Sequence, residues 1–507
     1  MNPTATITDH QRPKTCNEAA ALFYPDQAQV CPAFVEHETN SVSLSTLPTI
    51  HLLDLNDEFW ALTLEHAVFV TSEEQFRQYN PSTGLYLPVQ DSTLIGQILT
   101  NLNQCSQFFP AALDYGSFAM LKNRTRLKSV IERARDLLAV DDTFFNAQSP
   151  YHMICSNGIV NAVTRKFLPF TPDMHFKAKL PVKYDPEAKP DMFLGAFLKE
   201  IMSPEDIDVL QQFSSQLLSG VNHAQKILIL TGDSGWGKST IMKILASLLG
   251  WERIGIIRSQ LYTNDLELAH YAGKHLLYCP DMNSQFLFRK ESSIFKQLVG
   301  NDPIWAEAKD GQRTTIEGRF PIVLACNGKP QVMLDQDTEA WARRLVVLEF
   351  KKPGEGEHKG RLAEVLCQTE LPAILNWLLD GFAKLHKNGL QLSMTKEQQT
   401  RAAVLLLSSD SPAAFVRSCI VKQKDGVVGS AEMYERYQEW SRKHNLQPFN
   451  SKQFSQTARQ EIERGLGLRL RHDMRAENGG VMRGWKGLAL VDDSDVEKAS
   501  VVSGYIF

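Results

Sequence analysis

From residue 51 to residue 86 apolar and polar positions alternate, as in HAVFV and QFRQYNPSTGLYLPV, the period of two that half-buried strands show. The cluster Asn80-Pro81-Ser82-Thr83-Gly84 between apolar runs reads as a hairpin turn. Helical spacing then takes over in LIGQILTNLNQC and TRLKSVIERARDLLAV. Strand character returns in MICSNGIVNAVTRKFLPF, with Asn157-Gly158 as its turn. Residues 1–45, rich in Thr, Ser, Asn and Pro, keep no period and read as a loosely held arm with a short helix at Asn17–Phe23. This pattern predicts a mixed α/β helper domain over 46–190. Pro190–Leu218 reads as helices leading into a nucleotide-binding core over 191–395. KKPGEGEHKG interrupts the pattern at Lys351–Gly360, and helices resume in RLAEVLCQTELPAILNWLLDGFAKLHK. A last domain is expected over 396–492, its own elements starting near Ser409, with a tail over 493–507.

The run QKILILTGDSGWGKSTIMKILASLL carries the most chemistry. Lys226–Leu230 is an apolar, strand-compatible run, and Thr240–Leu249 is helical in pattern. Between them stand Gly232, Asp233, Ser234, Gly235, Trp236, Gly237, Lys238 and Ser239, followed by Thr240. This is the Walker A spacing in the strand–loop–helix setting that the motif requires. Glycines let the backbone wrap a phosphate, and the amides at the helix N-terminus point at the anion. Lys238 is then placed for the β- and γ-phosphates of ATP and the Ser239 hydroxyl for Mg2+. Trp236, unusual in such a loop, reads as a residue that packs against a neighbouring element or subunit, with no chemistry of its own. The plain alternative is a glycine-rich turn that happens to precede a lysine.

A nucleotide-hydrolysing site also needs a carboxylate at the end of a neighbouring strand. KHLLYCPD offers Asp281 after the strand-like Leu276–Cys279, for magnesium or water. Glu267, in the helical ELAHY, is the weaker contender. A third strand, Phe320–Cys326, ends in Asn327, which reads either as a holder of the attacking water or sensor of the γ-phosphate, or as a turn residue before Gly328. WARRLVVLEF sets Arg343 and Arg344 just before another apolar strand. There an arginine either reaches a neighbouring subunit's ATP site or is a solvated or salt-bridged surface residue.

Composition narrows the class. The chain has 507 residues, 43% hydrophobic and 22% charged, enough for several cores and two to four domains. A net charge of -4 and a pI near 6.4 exclude a generally basic coat for nucleic acid, so any such contact needs a local patch. The 8 cysteines never stand two to four residues apart, which argues against a zinc ribbon or redox pair. The N-terminal MNPTATITDHQRPKT lacks the apolar core of a signal peptide, and no stretch approaches the roughly 20 apolar residues of a membrane span. A soluble protein without a membrane partner, in the cytoplasm of a bacterial host cell, is the expectation.

The order of Walker A, acidic strand end, strand ending in Asn, and RRL before a strand resembles the superfamily 3 helicases. The phage and plasmid primase-helicase group, which includes the poxvirus primase-helicase, is the nearest in kind. NGIVNAVTRKFLPFTP, LPVKYDPEAKPDMFLGAFLKEI, FKQLVGNDPIWAEAK and FPIVLACNGKP carry the resemblance further, over residues 76–491. It implies an α/β fold with an AAA+-like P-loop NTPase core, a parallel sheet with flanking helices, between the helper domain and a winged-helix domain. It also implies a hexameric ring that draws single-stranded or forked DNA through its pore at the expense of ATP and Mg2+. Carried over by position, Lys238 and Ser239 bind nucleotide and magnesium, Asp281 is the acidic residue, Asn327 the sensor and Arg344 the finger donated in trans, with Arg343 as its alternative. The chain departs from the family in having Asp281 where glutamate is usual. No acidic-pair primase motif is visible either, so a helicase that makes no primers, with a separate primase or initiator as partner, is expected.

IWAEAKDGQRTTIEGRF has Asp310-Gly311 as a strong hairpin turn signal, which sets Lys309 and Arg313 at a tip. In the family this hairpin grips DNA phosphates; otherwise it is an exposed charged hairpin. The C-terminal stretch reads as two helices and a two-stranded wing. From Lys452 to Lys486 it has eight basic residues against four acidic ones, the local surplus that a phosphate-binding surface needs. Lys452 and Arg459 on the second helix, with Arg469, Arg471 and Arg475 on the wing, are the DNA-binding candidates, and packing or protein binding is the alternative use. Two functions follow: a DNA helicase in replication of a phage, satellite or plasmid, or an NTP-driven regulatory switch or defence component that binds nucleic acid without unwinding it. A metabolic kinase has no need for the sensor, finger and winged-helix combination.

Overall fold

The computed structural model describes residues 57–108, 122–145, 151–258, 265–283, 286–288, 290–307, 313–328, 330–334, 337–354, 361–444, 446–475 and 481–491. The expected arm with its helix at Asn17–Phe23, and the tail, lie outside the described residues. The chain divides into two units, Met1–Tyr184 and Asp185–Phe507.

The first unit begins with helix α1 (Asp57–Leu62) and strands β1 (Ala67–Val70), β2 (Gln75–Asn80) and β3 (Leu85–Pro88). Helices α2 (Asp91–Phe108) and α3 (Arg124–Leu137) and the short β4 (Ala139–Val140) follow. The sheet runs β3-β2-β1-β4, with β4 parallel to β1. The alternation predicts this hairpin: Asn80 pairs with Leu85, and the Asn80 side chain accepts from the Ser82 amide at 3.0 Å. Helix α3 starts where Asn123 caps the Thr125 amide, and its Leu127, Val130, Ile131 and Ala134 form one buried stripe. That stripe packs with Trp60, Leu94, Ile98 and Leu102 into a single core, each large side chain contributing about 1.5–3 kcal/mol by burial. A small sheet of β5 (His152–Cys155), β6 (Gly158–Asn161) and β7 (Phe167–Leu168) completes the unit. Its first turn falls one residue earlier than expected, at Ser156-Asn157. Gly158 already pairs with Cys155, and the Asn157 amide instead clamps the backbone of Tyr184, accepting at 2.8 Å and donating at 3.0 Å.

The second unit enters through a π-helical turn, Met192–Leu198, and helix α4 (Pro204–Ser215), which Ser203 caps. In chain order follow β8 (Ile227–Thr231), α5 (Lys238–Leu249), β9 (Ile254–Ile256), α6 (Asp265–Ala269), β10 (Leu276–Cys279) and α7 (Ile294–Val299). The hairpin β11 (Pro303–Glu307) and β12 (Arg313–Glu317) leads to β13 (Ile322–Cys326), α8 (Thr338–Ala342) and β14 (Leu345–Glu349). Five of these strands form one sheet, β14-β8-β13-β10-β9, and every neighbouring pair is parallel. Near-continuous apolar runs such as ILIL and LLYC are what a sheet covered on both faces requires. The parallel order gathers the carboxyl ends of β8, β10 and β13 along one edge, the usual ligand edge of such sheets.

Helices α9 (Leu362–Thr369), α10 (Leu371–Lys387) and α11 (Lys396–Ser409) follow. Helix α11, assigned from the sequence to the last domain, packs Ala402, Leu405 and Leu406 into the core cluster of the central sheet. Arg401 and Gln398 of α11 also hold the buried Asp206 of α4, at 2.7 and 2.8 Å. The remaining elements are α12 (Ser411–Cys419), β15 (Ile420–Gly429), α13 (Ser430–Lys443), α14 (Ser451–Leu466), β16 (Arg471–Arg475) and β17 (Val481–Leu490). They enclose a separate core of Phe415, Tyr437, Trp440, Phe454 and Trp485, with Tyr437 and Phe454 stacked at 4.4 Å. The sheet has three strands, β15-β17-β16, one more than the expected wing. Strand β15 bulges between Lys422 and Val427, which breaks the alternation that would have revealed it.

Helix α10 crosses α4 where Gly381 lies over the Gln211 carbonyl; an added Cβ would meet that oxygen at 2.6 Å. Gly→Ala inside a helix ordinarily gains up to about 1 kcal/mol. Here Gly381→Ala is expected to cost about 1–3 kcal/mol by overpacking, read as a lower urea midpoint. An unchanged or raised midpoint contradicts the close crossing.

Candidate active site

Strand β8 delivers the chain to Gly232 at the carboxyl edge of the sheet, and α5 carries it away from Lys238. In between, Asp233, Ser234 and Gly235 are exposed, and Trp236 and Gly237 half-buried. Gly237 stands immediately before the helix at φ 101, and a Cβ there would meet Ile201 at 2.8 Å. Both the backbone angle and the apolar wall behind it restrict the position to glycine. Trp236 lies back over its own loop, within reach of any side chain built on Gly232. Ser239 is exposed and Thr240 half-buried in the first helical turn.

Lys238 is only 7% exposed. Its ammonium donates to the carbonyls of Gly232 and Asp233, the latter at 2.9 Å, and to Asn327 Oδ1 at 3.0 Å. Among the described residues no carboxylate lies within ion-pair distance of it. Burial pulls its pKa below the usual lysine range, opposed by the nearby Cys326, Asp233 and Asp281. A desolvated cation held by neutral oxygens is a place where an anion gains most.

Asn327 follows β13 and Asp281 follows β10, both exposed on the same edge as the loop. One further residue belongs to the site and sequence reasoning missed it. Tyr278, 7% exposed on β10, lies near enough to Ser239 and Asp281 for both to act on its phenol. Burial first, then Cys279 and Asp281, push its pKa up to about 12 although Ser239 opposes the shift, so the phenol stays neutral. The signal for it was the strand period: Leu277 and Cys279 join the core cluster on one face, which turns Leu276 and Tyr278 to the other. The loop, Lys238, Ser239, Tyr278, Asp281 and Asn327 are thus brought together. Glu267 is not among them; it is buried beside Arg258, at 3.8 Å.

Arg343 and Arg344 stand elsewhere. They precede β14, whose first residue Leu345 pairs with Ile227 at the start of β8. At about 3.3 Å per residue the pair is therefore roughly 20 Å from the glycine loop of its own chain. The two differ in surroundings. Arg344 is 7% exposed, donates to the Ala340 carbonyl at 3.0 Å, and feels the Asp337 and Asp302 carboxylates. Arg343 is exposed.

Lys309 and the turn Asp310-Gly311 lie outside the described residues, as does the side chain of Arg313. The strands flanking them pair antiparallel, Glu307 with Arg313, as the turn signal predicts. Lys452, Arg459, Arg469 and Arg471 are all exposed. Arg459 pairs with Glu463 at 2.9 Å and Arg471 with Asp473 at 2.7 Å, while among the described residues Lys452 and Arg469 have no acidic partner. The side chain of Arg475 lies outside the described residues. Among them, too, no helix is long and apolar enough to cross a membrane.

Fold and site define a mixed α/β protein on a parallel sheet, with a glycine loop and a lysine-led helix at its carboxyl edge. Within that class, separate stretches of the chain are similar to D5-like proteins, in line with its motif order. Residues 112–203 match the family described as D5 N terminal like, and residues 407–476 the one described as poxvirus D5 protein-like. Residues 230–344, from the loop to the arginine pair, match a family of unknown function, DUF5906. A protein of Acanthamoeba polyphaga mimivirus named "Putative helicase L207/L206" is 26% identical over 300 residues, 53% of this chain. The match spans 31% of that relative's length. Among solved structures, the apo NrS-1 C-terminal region (305-718) overlays at 9% identity with a TM-score of 0.39, covering 83% of this chain and 95% of that one. A second form of the same region overlays at 9% identity and 0.36, covering 60% and 79%.

The two arginines should separate in stability measurements. Arg344→Ala removes a buried donor set and is expected to cost about 1–3 kcal/mol, read from the urea midpoint. Arg343→Ala should stay within about 0.5 kcal/mol, as exposed substitutions do. Equal effects contradict the division between buried and exposed.

Proposed function

We propose that this chain is an ATP-dependent DNA helicase or translocase of the superfamily 3 type. The observation that carries the reading is the Lys238 ammonium, buried and surrounded by neutral oxygens at the end of a glycine loop. The γ-phosphate of ATP answers that arrangement, with loop amides around the phosphates and Asn327 free to exchange Lys238 for the nucleotide or an attacking water. Ser239 and Asp281, on the same edge, are the residues that would hold Mg2+, which neutralises developing phosphate charge. The D5-like matches and the helicase named among the relatives support a helicase-type function.

The remaining parts extend the same reading. The sheet with its flanking helices is an AAA+-like P-loop core. The C-terminal helices and three-stranded sheet are a winged helix, whose Lys452 and Arg469 are the basic side chains most open to phosphate. Arg459 and Arg471 would have to exchange their carboxylate partners for DNA. Lys309 and Arg313 grip the strand within the pore of a ring, a hexamer by family likeness. An arginine roughly 20 Å from its own loop can complete an ATP pocket only in a neighbouring copy. The exposed Arg343 suits that role better than Arg344, whose guanidinium is engaged within its own chain. The setting is replication of a phage, satellite or plasmid, alongside a separate primase or initiator.

ATPase measured with and without single-stranded DNA, for the wild type and for Lys238→Ala, tests the reading. Turnover should rise several-fold with DNA, and the variant should lose at least about 10²-fold, as expected when a group that stabilises transferring charge is removed. Turnover indifferent to DNA contradicts the motor and favours a nucleotide-driven switch.

A further inference from the structure

We propose that Asn222 is a positioning residue for the hairpin β11–β12: its buried side chain ties the foot of the hairpin to the strand that carries the glycine loop, so that the two shift together. This rests on the helicase reading above and deepens it.

Asn222 stands in the loop that enters β8 and is 0% exposed. Its side-chain nitrogen donates to the Phe320 carbonyl at 2.9 Å and to the Lys226 carbonyl at 2.7 Å. Its Oδ1 accepts from the Lys226 amide at 3.1 Å, and its own backbone amide donates to the Arg319 carbonyl at 2.8 Å. Both protons of the side-chain amide and one of its oxygen lone pairs are in use, a set that neither aspartate nor leucine can reproduce.

Arg319 and Phe320 lie where β12 hands over to β13, at the exit of the hairpin. That foot is tightly built. The Gly318 amide donates to the Asp302 carbonyl, and the Gly318 carbonyl accepts from the Asn301 amide, each at 2.8 Å. A Cβ on Gly318 would meet the Gln297 carbonyl at 1.9 Å. The entry leg is held from the same loop, since the Gln225 side chain donates to the Gly300 carbonyl at 3.3 Å. The segment 222–226 therefore holds both legs of the hairpin, and the next residue, Ile227, opens β8. Strand β8 is bonded on both edges, to β13 and β14, and such a rigid element carries a displacement along its length. Its far end is Gly232.

Closing a loop does not by itself call for this arrangement. Gln225 is held at φ 52, a backbone region uncommon outside glycine, while its amide donates to the Asn222 carbonyl at 3.1 Å. Such strain persists where surrounding bonds over-determine it, and it gathers at parts that transmit or switch.

Steady-state ATPase of the full chain, without DNA and at saturating single-stranded DNA, is compared for wild type, Asn222→Ala and Gln225→Gly. Gln225→Gly relieves the positive φ and removes only the Gly300 bond, so it decides the question if Asn222→Ala fails to fold, which a thermal melt reports. Both variants should keep the DNA-free turnover and the ATP KM of the wild type. The ratio of DNA-stimulated to DNA-free turnover should fall at least about twofold, as expected when a residue that couples two sites is removed. A merely structural asparagine would lower the melting temperature and leave that ratio unchanged. A wild-type ratio in Gln225→Gly, or in a folded Asn222→Ala, overturns the proposal and leaves the nucleotide site standing. A wild-type chain whose turnover ignores DNA overturns the helicase reading and the proposal together.

Discussion

A lysine at 7% exposure, its ammonium satisfied by two backbone carbonyls and one amide oxygen, is the constraint on which the second unit turns. The desolvated cation lies at the point where β8 becomes α5, and its position fixes everything around it. Gly232 and Gly237 must be small because Phe350, Ile201 and Trp236 press on the loop from behind. Asn327 must end β13 to supply the third oxygen. The parallel sheet follows from the same need, since only parallel neighbours bring the carboxyl ends of three strands to one edge. Under the proposed function, an ATP phosphate introduced there would exchange neutral oxygen partners for an anionic one, a difference available to drive a change of state.

The opposite end of the sheet carries the second charged feature. Arg344 is built into the structure between the Ala340 carbonyl and the field of Asp337 and Asp302, close to where the hairpin β11–β12 springs from the core. Arg343 beside it is exposed. A rigid, buried arginine next to an exposed one presents the exposed side chain on a firm base, which suits contact with another copy. In the proposed ring, Asp302 at the hairpin base lies close to Arg344, and the exposed Arg343 beside it reaches the neighbouring copy's pocket. Movement at a nucleotide site then has a mechanical route to the hairpin.

Much of this is legible in the sequence because the chemistry is local. A phosphate loop needs its glycines, lysine and serine within eight consecutive positions, and the strand and helix around it show their periods plainly. Asn80–Gly84 is legible for the same reason, because its side-chain and backbone bonds close within the turn. What depends on long-range packing is not. Tyr278 stands in an apolar strand run, and only the folded sheet brings it near Ser239. The burial of Arg344 depends on residues around Ala340 and Gly300 that sequence order separates from its role. Helix α11 looks like the start of a new domain, yet its apolar face completes the central core. The charged segment of β15 hides a strand because a bulge disrupts its alternation. The turn at Ser156-Asn157 was displaced by one residue by Asn157, whose amide is committed to Tyr184.

A subunit-mixing experiment tests the shared pocket most directly. Lys238→Ala chains and Arg343→Ala chains are each expected to be inactive as ATPases, one lacking the phosphate-binding ammonium and the other the arginine given to its neighbour. Co-assembled, an intact loop on one chain meets an intact arginine on the next. The account predicts that DNA-stimulated ATPase reappears in the mixture and is greatest near equal proportions. A mixture as inactive as its components, or an Arg343→Ala chain with full activity on its own, contradicts it.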